Sequence, residues 1–302
     1  MNSLNNISFR IARKISNFLL NNHFKGSNLL RKFLCERLIQ AVDVPIICST
    51  LYGFDIFVDP NDKGLEKSIY YFGEYEAGIV SAFKKILHEG DTFLDIGANI
   101  GFLSLVAACI VDKSGLVYAV EPHPFTYKIL EKNICLNGFK NIFSMNIALG
   151  KEISEEKIYN RINISRGSAS LIRPMNVSEE LGVPVRVSSI DILIEKGQIQ
   201  LPNLIKIDVE GFELEVLKGA KILLNSSHAP VLCIEFSNLH PTYGGDVRDI
   251  YNFIKSANDY SFFKLKYGKG VPSKLVKIFN ENDLPFHDNV FCFLNKELWR
   301  VE

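Results

Sequence analysis

Residues 92–101 read TFLDIGANIG, and residues 118–124 read YAVEPHP. Each is a short apolar run closed by a carboxylate, Asp95 in the first and Glu121 in the second. A glycine-rich turn follows the first, and the interval between them holds one helix. This pairing restricts the fold more than any other feature of the chain. A doubly wound α/β domain grips an adenosine in this way, with a glycine turn after one strand and an acid at the end of the next to accept bonds from ribose hydroxyls.

The rest of the chain supports that reading. Residues 1–43 read as helical with a polar face, and 44–59 as a hairpin turning near Tyr52-Gly53. The apolar set Ile79, Val80, Phe83, Ile86 and Leu87 predicts an amphipathic helix over 74–88. Strands and helices then alternate: strand 92–97, helix 100–110, strand 116–121, a helix from Pro124 to Asn137-Gly138, and strand 142–148. Residues 151–200 break the rhythm. Strand 203–209, a helix carrying Leu214, Leu217, Ala220 and Leu224, strand 230–236, a helix near 246–257 and two strands near 261–267 and 289–294 follow. The core strands are unbroken apolar runs, as in a parallel sheet covered on both faces. The last two strands are close enough to pair, which predicts an α/β, Rossmann-like, seven-stranded, mostly parallel sheet with one antiparallel strand. The division expected is an N-terminal helical and hairpin extension, 1–70, and a cofactor-binding domain, 71–302.

The turn separates the adenosine cofactors. A dinucleotide fingerprint needs G-x-G-x-x-G, whereas Gly97, Asn99 and Gly101 give G-x-N-x-G. With no pyrophosphate to cradle, S-adenosylmethionine (AdoMet) is the better candidate, its cationic tail suiting Asp95 directly or through water. Glu121 is placed to grip both ribose hydroxyls. The alternatives are an NAD-binding oxidoreductase and a non-catalytic binding module on the same fold.

A second informative segment is IKIDVEGFELEVLKGA, 205–220. Alternation puts Ile205, Ile207 and Val209 on one face and Lys206 and Asp208 on the other. Charges inside an apolar strand are costly unless paired or functional. Lys206, Asp208 and Glu210 reach the carboxyl end of the fourth core strand, beside the first, where a transferred methyl points. Glu213 and Glu215 read as ordinary first-turn helix acids.

With these stretches in place the chain resembles the FkbM family of AdoMet-dependent methyltransferases. The resemblance is carried by GEYEAG (73–78), GDTFLDIGANIG (90–101), VYAVEPHP (117–124), NIALG (146–150), SSIDIL (188–193), IKIDVEGFELEVLKGA and CIEF (233–236), over roughly residues 70–240. It implies O-methylation of a sugar, glycan or natural-product hydroxyl. On matching positions Asp95, Gly97, Asn99, Gly101 and Glu121 line the cofactor, with Asn146 a candidate for the adenine. Asp208, Glu210 and Glu235 face the acceptor. Asp208 is the first choice of base and Glu210 the second. Lys206 either holds Asp208 ionised or, with a lowered pKa, is itself the base. Asp208, Glu210 and Glu235 could alternatively hold a divalent cation such as magnesium. His123 falls near the cofactor rim, and His240, after the fifth strand, is a further catalytic candidate. The hydroxyl-rich stretch 161–174 is expected to form part of the acceptor wall.

Composition narrows the partners. The net charge is zero, so no overall basic field favours nucleic acid. Within residues 1–40, however, seven basic residues stand against Glu36 alone, a net of +6, leaving −6 on the remainder. Ile7, Ile11, Ile15, Phe18 and Leu19 fall on one helical stripe, which either packs on the catalytic domain or contacts a membrane or protein partner. No spanning run or cleavable signal is evident, so the expected location is cytoplasmic. Six cysteines without paired spacing are expected to be reduced, with Cys109, Cys233 and Cys292 in the core.

Overall fold

The computed structural model describes residues 3–21, 27–39, 42–160, 169–173, 177–238 and 246–296. Helices α1 (Ser3–Asn21) and α2 (Ser27–Leu38) precede the hairpin of β1 (Ile46–Ser49) and β2 (Asp55–Val58), then α3 (Leu65–Phe72) and α4 (Ala77–Ile86). The alternating unit is β3 (Thr92–Ile96), α5 (Phe102–Val111), β4 (Leu116–Val120), α6 (Pro124–Asn137) and β5 (Ile142–Met145). A lobe of β6 (Ala148–Leu149), β7 (Ser154–Ile158) and β8 (Val183–Ser188) follows, then α7 (Ile190–Glu195), β9 (Leu204–Ile207), α8 (Glu213–Lys218) and α9 (Lys221–Leu224). The chain continues through β10 (Val231–Ser237), α10 (Val247–Ala257), β11 (Tyr260–Leu265), β12 (Leu275–Ile278) and β13 (His287–Leu294).

The main sheet has the order β12-β11-β13-β10-β9-β3-β4-β5. Strands β5, β4, β3, β9 and β10 are mutually parallel, and β13 inserts antiparallel between β10 and β11. The expected sheet is therefore present with one strand more. The edge strand β12 pairs antiparallel with β11, giving eight strands of which two run against the rest. The expected strand 142–148 also divides, because Ala148 and Leu149 leave the sheet to pair with β8 in the small three-stranded one. Between α8 and α9, Gly219 lets this segment meet the end of β6, since a Cβ there would lie 2.0 Å from the Gly150 carbonyl oxygen.

The two faces of the sheet bury different clusters. Phe93, Val117, Ala119, Leu204, Val231 and Cys233 face α4, α5 and the N-terminal elements, continuous with Ala12, Cys35, Phe54 and Ile56. Leu94, Ile96, Val120, Ile205, Ile207 and Ile234 face α8, α9 and α10. Full burial on both sides is why these strands carry no polar alternation. The hairpin is tied to α6 by asparagines: the Phe57 N–H donates to Asn133 Oδ1 (2.7 Å) and the Asp55 N–H to Asn137 Oδ1 (2.8 Å). These side chains satisfy an otherwise open strand edge.

Helix α1 packs on the fold, but not along the expected stripe. Its buried residues are Ala12, Arg13, Ser16, Leu19 and Leu20, while Ile11 and Phe18 are exposed and Ile15 half-buried. The Ile7 side chain lies outside the described residues. Small Ala12 and Ser16 allow close approach to α2, where Arg31 Nε donates to Ser16 Oγ (2.5 Å). Cys109, expected in the core, is exposed; Cys233 and Cys292 are buried, and none of the six cysteines is in a disulfide. Among the described residues no helix is long and apolar enough to cross a membrane.

Candidate active site

The carboxyl ends of β3, β4 and β9 interlock. The Gly97 and Ala98 N–H groups both donate to the Val120 carbonyl (3.0 Å each), and the Asp208 N–H donates to the Ile96 carbonyl (3.0 Å). Gly97 has φ +82°, and a Cβ on it would stand 1.9 Å from the Asp208 carbonyl oxygen. A Cβ on Gly101 would meet Leu130 of α6 at 2.5 Å. Both glycines therefore serve close packing of chain on chain, a role the sequence reading did not give them. Asn99, between them, is left-handed at φ 53°, a conformation asparagine tolerates better than most residues. Its Oδ1 accepts from the Ile100 N–H at 2.8 Å. Behind the turn, Asn133 Nδ2 donates to the Ile100 carbonyl (2.8 Å), linking the turn to the hairpin.

Glu121 is buried with both carboxylate oxygens in use. Oε2 accepts from the Asn99 N–H and Oε1 from the His123 N–H, each at 2.9 Å. Burial pushes its pKa up to about 7, against the opposing pull of those two main-chain bonds. Asn146 is committed elsewhere: its Nδ2 donates to the Glu121 and Pro122 carbonyls (2.9 and 3.0 Å). It braces the acid's loop with Nδ2 and lines an adjoining groove with Pro122 and Arg186. That cleft encloses about 550 Å³ counted to its mouth, running from Glu121, Pro122 and Ile147 to Gly97, Asp208 and Phe212. Ala169, Ser170 and Leu171 of the 161–174 stretch also line it, whereas 161–168 and 174 lie outside the described residues. The His123 ring is buried, which lowers its pKa.

Asp95 stands under the turn rather than on the cleft wall. Oδ2 accepts from Ser104 Oγ at 2.6 Å, and Oδ1 is buried without a hydrogen-bond partner. Burial raises its pKa, with Lys206, its register neighbour on β9, countering. An unmatched buried acceptor is one that an ammonium or a bridging water would complete. The apolar wall at Ile147 and Leu149 and the acid at Glu121 fit the adenine and ribose of AdoMet, and the Asp95 oxygen, beneath the turn, would meet the cationic tail only through a bridging water.

Charges gather at the other end of the cleft. Lys206 Nζ, almost fully buried, bonds Asp208 Oδ2 at 2.9 Å. Burial alone would lower the lysine's pKa, but Asp208, Asp95 and Glu76 outweigh it and hold it raised. Lys206 is thus a fixed cation, and its expected alternative role as a base is corrected. For Asp208 burial works upward, and Lys206 and Lys269 more than reverse it, holding the carboxyl below its ordinary range. Glu210 is left-handed at φ 57°, and its carbonyl accepts from Ser170 Oγ (2.9 Å). Ligand-capable oxygens of Asp208, Glu210 and Glu235 all lie within 4.8 Å of one another. His240 lies outside the described residues.

Three participants escaped the sequence reading. Lys269 Nζ bonds Glu235 Oε1 at 2.7 Å and stands 3.4 Å from Glu76 Oε1. Gly78 makes this possible, since a Cβ there would lie 2.7–2.8 Å from the carbonyl oxygens of Gly268, Lys269 and Val271. Glu76 was visible only as part of GEYEAG, and Lys269 had no motif around it. Burial raises the pKa of both Glu76 and Glu235, with Lys269 opposing. Glu213, expected to be plain helix chemistry, is instead buried: its Oε1 accepts from the Val209 and Gly211 N–H groups (3.1 and 3.0 Å), fixing the turn that carries Glu210. Glu215 does behave as a helix-surface acid, paired with Lys218 at 2.6 Å.

A parallel β5-β4-β3-β9-β10 sheet extended by an inserted antiparallel strand, with the cofactor cleft at its carboxyl edge, defines a Rossmann-like methyltransferase. A family model described as the methyltransferase FkbM domain matches residues 95–262. The chain belongs to this family of AdoMet-dependent methyltransferases. Hexuronic acid methyltransferase AglP of Haloferax volcanii is 28% identical over 182 residues, covering 60% of this chain and 69% of that protein. Methyltransferase 1 of Beauveria bassiana is 28% identical over 148 residues, covering 43% of this chain and 58% of that one. A crystal structure of an FkbM methyltransferase from Methylobacillus flagellatus superposes with TM-score 0.43 at 20% identity, over 67% of this chain and 43% of that one.

Proposed function

We propose that this protein transfers the methyl group of AdoMet to a hydroxyl of a sugar, glycan or related natural product, and that Asp208 receives the hydroxyl proton. The observation carrying this is the position of Asp208: it shares one cleft with Glu121 and Gly97 and is kept ionised by two lysines. The relationship to a hexuronic acid methyltransferase supports the sugar class.

Bound AdoMet supplies an electrophilic methyl on a sulfonium leaving group. Glu121 holds the ribose and Asn99 shapes the turn beneath it. Asp208 accepts a hydrogen bond from the incoming hydroxyl and orients its lone pair toward the methyl; as the O–C bond forms the methyl–sulfur bond breaks, leaving S-adenosylhomocysteine, and Asp208 then takes the hydroxyl proton. A low-pKa carboxylate is a weak base, so proton transfer follows bond formation rather than preceding it. Lys206 and Lys269 offset the negative charge of the surrounding acids. Residues 1–70 serve as an extension bracing the 71–302 catalytic unit, and we assign the reaction to the cytoplasm.

Methyl transfer to a panel of sugar acceptors tests the reading. Asp208→Asn is expected to lower kcat by about 10²–10⁴-fold while S-adenosylhomocysteine binding stays within about twofold, since Asp208 is not among the ribose ligands. Full activity in that variant would refute it. A second reading, favoured by the closeness of Asp208, Glu210 and Glu235, gives these acids to a divalent cation that lowers the hydroxyl's pKa. It requires the two lysine ammoniums to yield Asp208 and Glu235. Loss of activity after chelator dialysis, restored by magnesium, would select it.

A further inference from the structure

We infer that α1 and α2 form a docking surface for an anionic lipid membrane. The orientation of α1 is fixed by polar ties on its buried side. Arg13 Nη2 donates to the Ile69 and Tyr70 carbonyls (3.0 and 3.1 Å), and Ser16 accepts from Arg31. Arg31 in turn pairs with buried Glu74. The helix cannot roll to bury its more apolar stripe without breaking these bonds.

Ile11 and Phe18 of that stripe consequently face outward, while Leu19 is buried and Ile15 half-buried. Ile11 is 49% exposed and Phe18 64%, and on the neighbouring α2 Leu30, Phe33 and Leu38 are 40%, 56% and 40% exposed. Scattered single apolar residues on a surface need no explanation, but five large ones on two adjoining helices do. Lys14 and Arg37 are exposed on the same pair, within the segment that carries +6 against −6 for the remainder. Apolar side chains flanked by cations on an amphipathic helix match the boundary of a lipid layer with anionic headgroups. The charge selects among occupants. A second copy would set Lys14 and Arg37 against the same exposed cations, whereas an anionic lipid surface complements both features.

Co-sedimentation of the full chain with vesicles of equimolar phosphatidylglycerol and phosphatidylcholine, and with phosphatidylcholine alone, tests this. Binding is expected to the anionic vesicles only and to weaken as salt screens the contact. Lys14→Glu/Arg37→Glu should weaken it by at least about tenfold, and Ile11→Glu/Phe33→Glu should abolish it. S-adenosylhomocysteine binding at its unaltered affinity certifies that each variant is folded. The inference is overturned by absence of binding to the anionic vesicles, by equal binding to both kinds, or by unimpaired binding of the Ile11→Glu/Phe33→Glu protein. It is equally overturned if light scattering shows a dimer that this same variant dissociates.

Discussion

Glu121 gives a quantitative handle on the cofactor site. Its pKa of about 7 in the folded protein, against 4.5 ordinarily, corresponds to about 3 kcal/mol that the unliganded fold spends to ionise it. The sign follows from the direction of the shift. A raised carboxyl favours folding while protonated, so this contribution is fully present below about pH 4.5 and is lost as pH rises through about 7. Ribose hydroxyls donate hydrogen bonds and prefer the ionised acceptor. S-adenosylhomocysteine should therefore bind about tenfold more weakly at about pH 6 than at about pH 8, measured by calorimetry, in proportion to the ionised fraction. In Glu121→Gln one amide oxygen replaces two acceptors, and the amide NH₂ is set against either the Asn99 or the His123 N–H. Loss of charge-assisted bonds at about 1.5–3 kcal/mol each predicts binding weaker by about 100-fold and the same at both pH values. If the variant keeps the wild-type pH dependence, the titrating group lies elsewhere, and Asp95, also raised by burial, would have to replace Glu121 in this reasoning. If it binds with wild-type affinity, Glu121 does not hold the ribose.

Further outcomes follow from the same contacts. Gly97→Ala would place a Cβ 1.9 Å from the Asp208 carbonyl and should lower stability by about 3 kcal/mol or more, read as a fall in Tm. Lys269→Met leaves buried Glu76 and Glu235 without their nearest cation and should cost about 3 kcal/mol near neutral pH. That deficit should shrink on acidification, because both acids are already raised and take up protons readily. Asn133→Ala removes the link between the Phe57 N–H and the Ile100 carbonyl; the expected effects are about 2 kcal/mol of lost stability and weaker cofactor binding. If Asp208 is the base, the acid limb of the kcat–pH profile falls below the ordinary carboxylate range, following its lowered pKa. A limb above that range would transfer the role to Glu235.

The central sheet was legible because β3, β4, β9 and β10 are buried on both faces, so their apolar runs had few other folds available. The face assignment of Lys206 and Asp208 was legible for the same reason: in a strand whose neighbours are all apolar, two charges two residues apart must share a face. What escaped depends on contacts distant in sequence. Strand β12 is a half-exposed edge of four residues, too short for its alternation to stand out, and β6 consists of two residues diverted to another sheet. The register of α1 was misread because small Ala12 and Ser16, together with Arg13, decide which side is buried, while a hydrophobic stripe marks the opposite choice. Glu213 sits where any helix welcomes an acid, so its use as a brace for the 209–211 turn had no signature of its own. Lys269 approaches Glu76 because Gly78 lets the distant 268–271 loop touch the first turn of α4.

The two halves of the site share a buried cation. Asp95 and Lys206 are register partners on adjacent parallel strands, and Lys206 bonds Asp208 two residues on. The lysine therefore stands between Asp95 beneath the glycine turn and Asp208 in the cleft. Removing the proton demand on either carboxylate changes how strongly Lys206 is held by the other. A positively charged cofactor tail meeting Asp95 would draw that carboxylate's charge away from Lys206, leaving the lysine more fully to Asp208 and stabilising its ionised form. The same lysine becomes less able to release Asp208 to a metal. Gly97 reinforces this coupling mechanically, since its missing Cβ is what lets the β3 turn lie against the Asp208 carbonyl. If Asp208 receives the hydroxyl proton, a chain that must align a sulfonium methyl with a hydroxyl gains from such an arrangement, because any shift in the glycine turn is transmitted to Asp208 through one backbone contact and one buried ion pair.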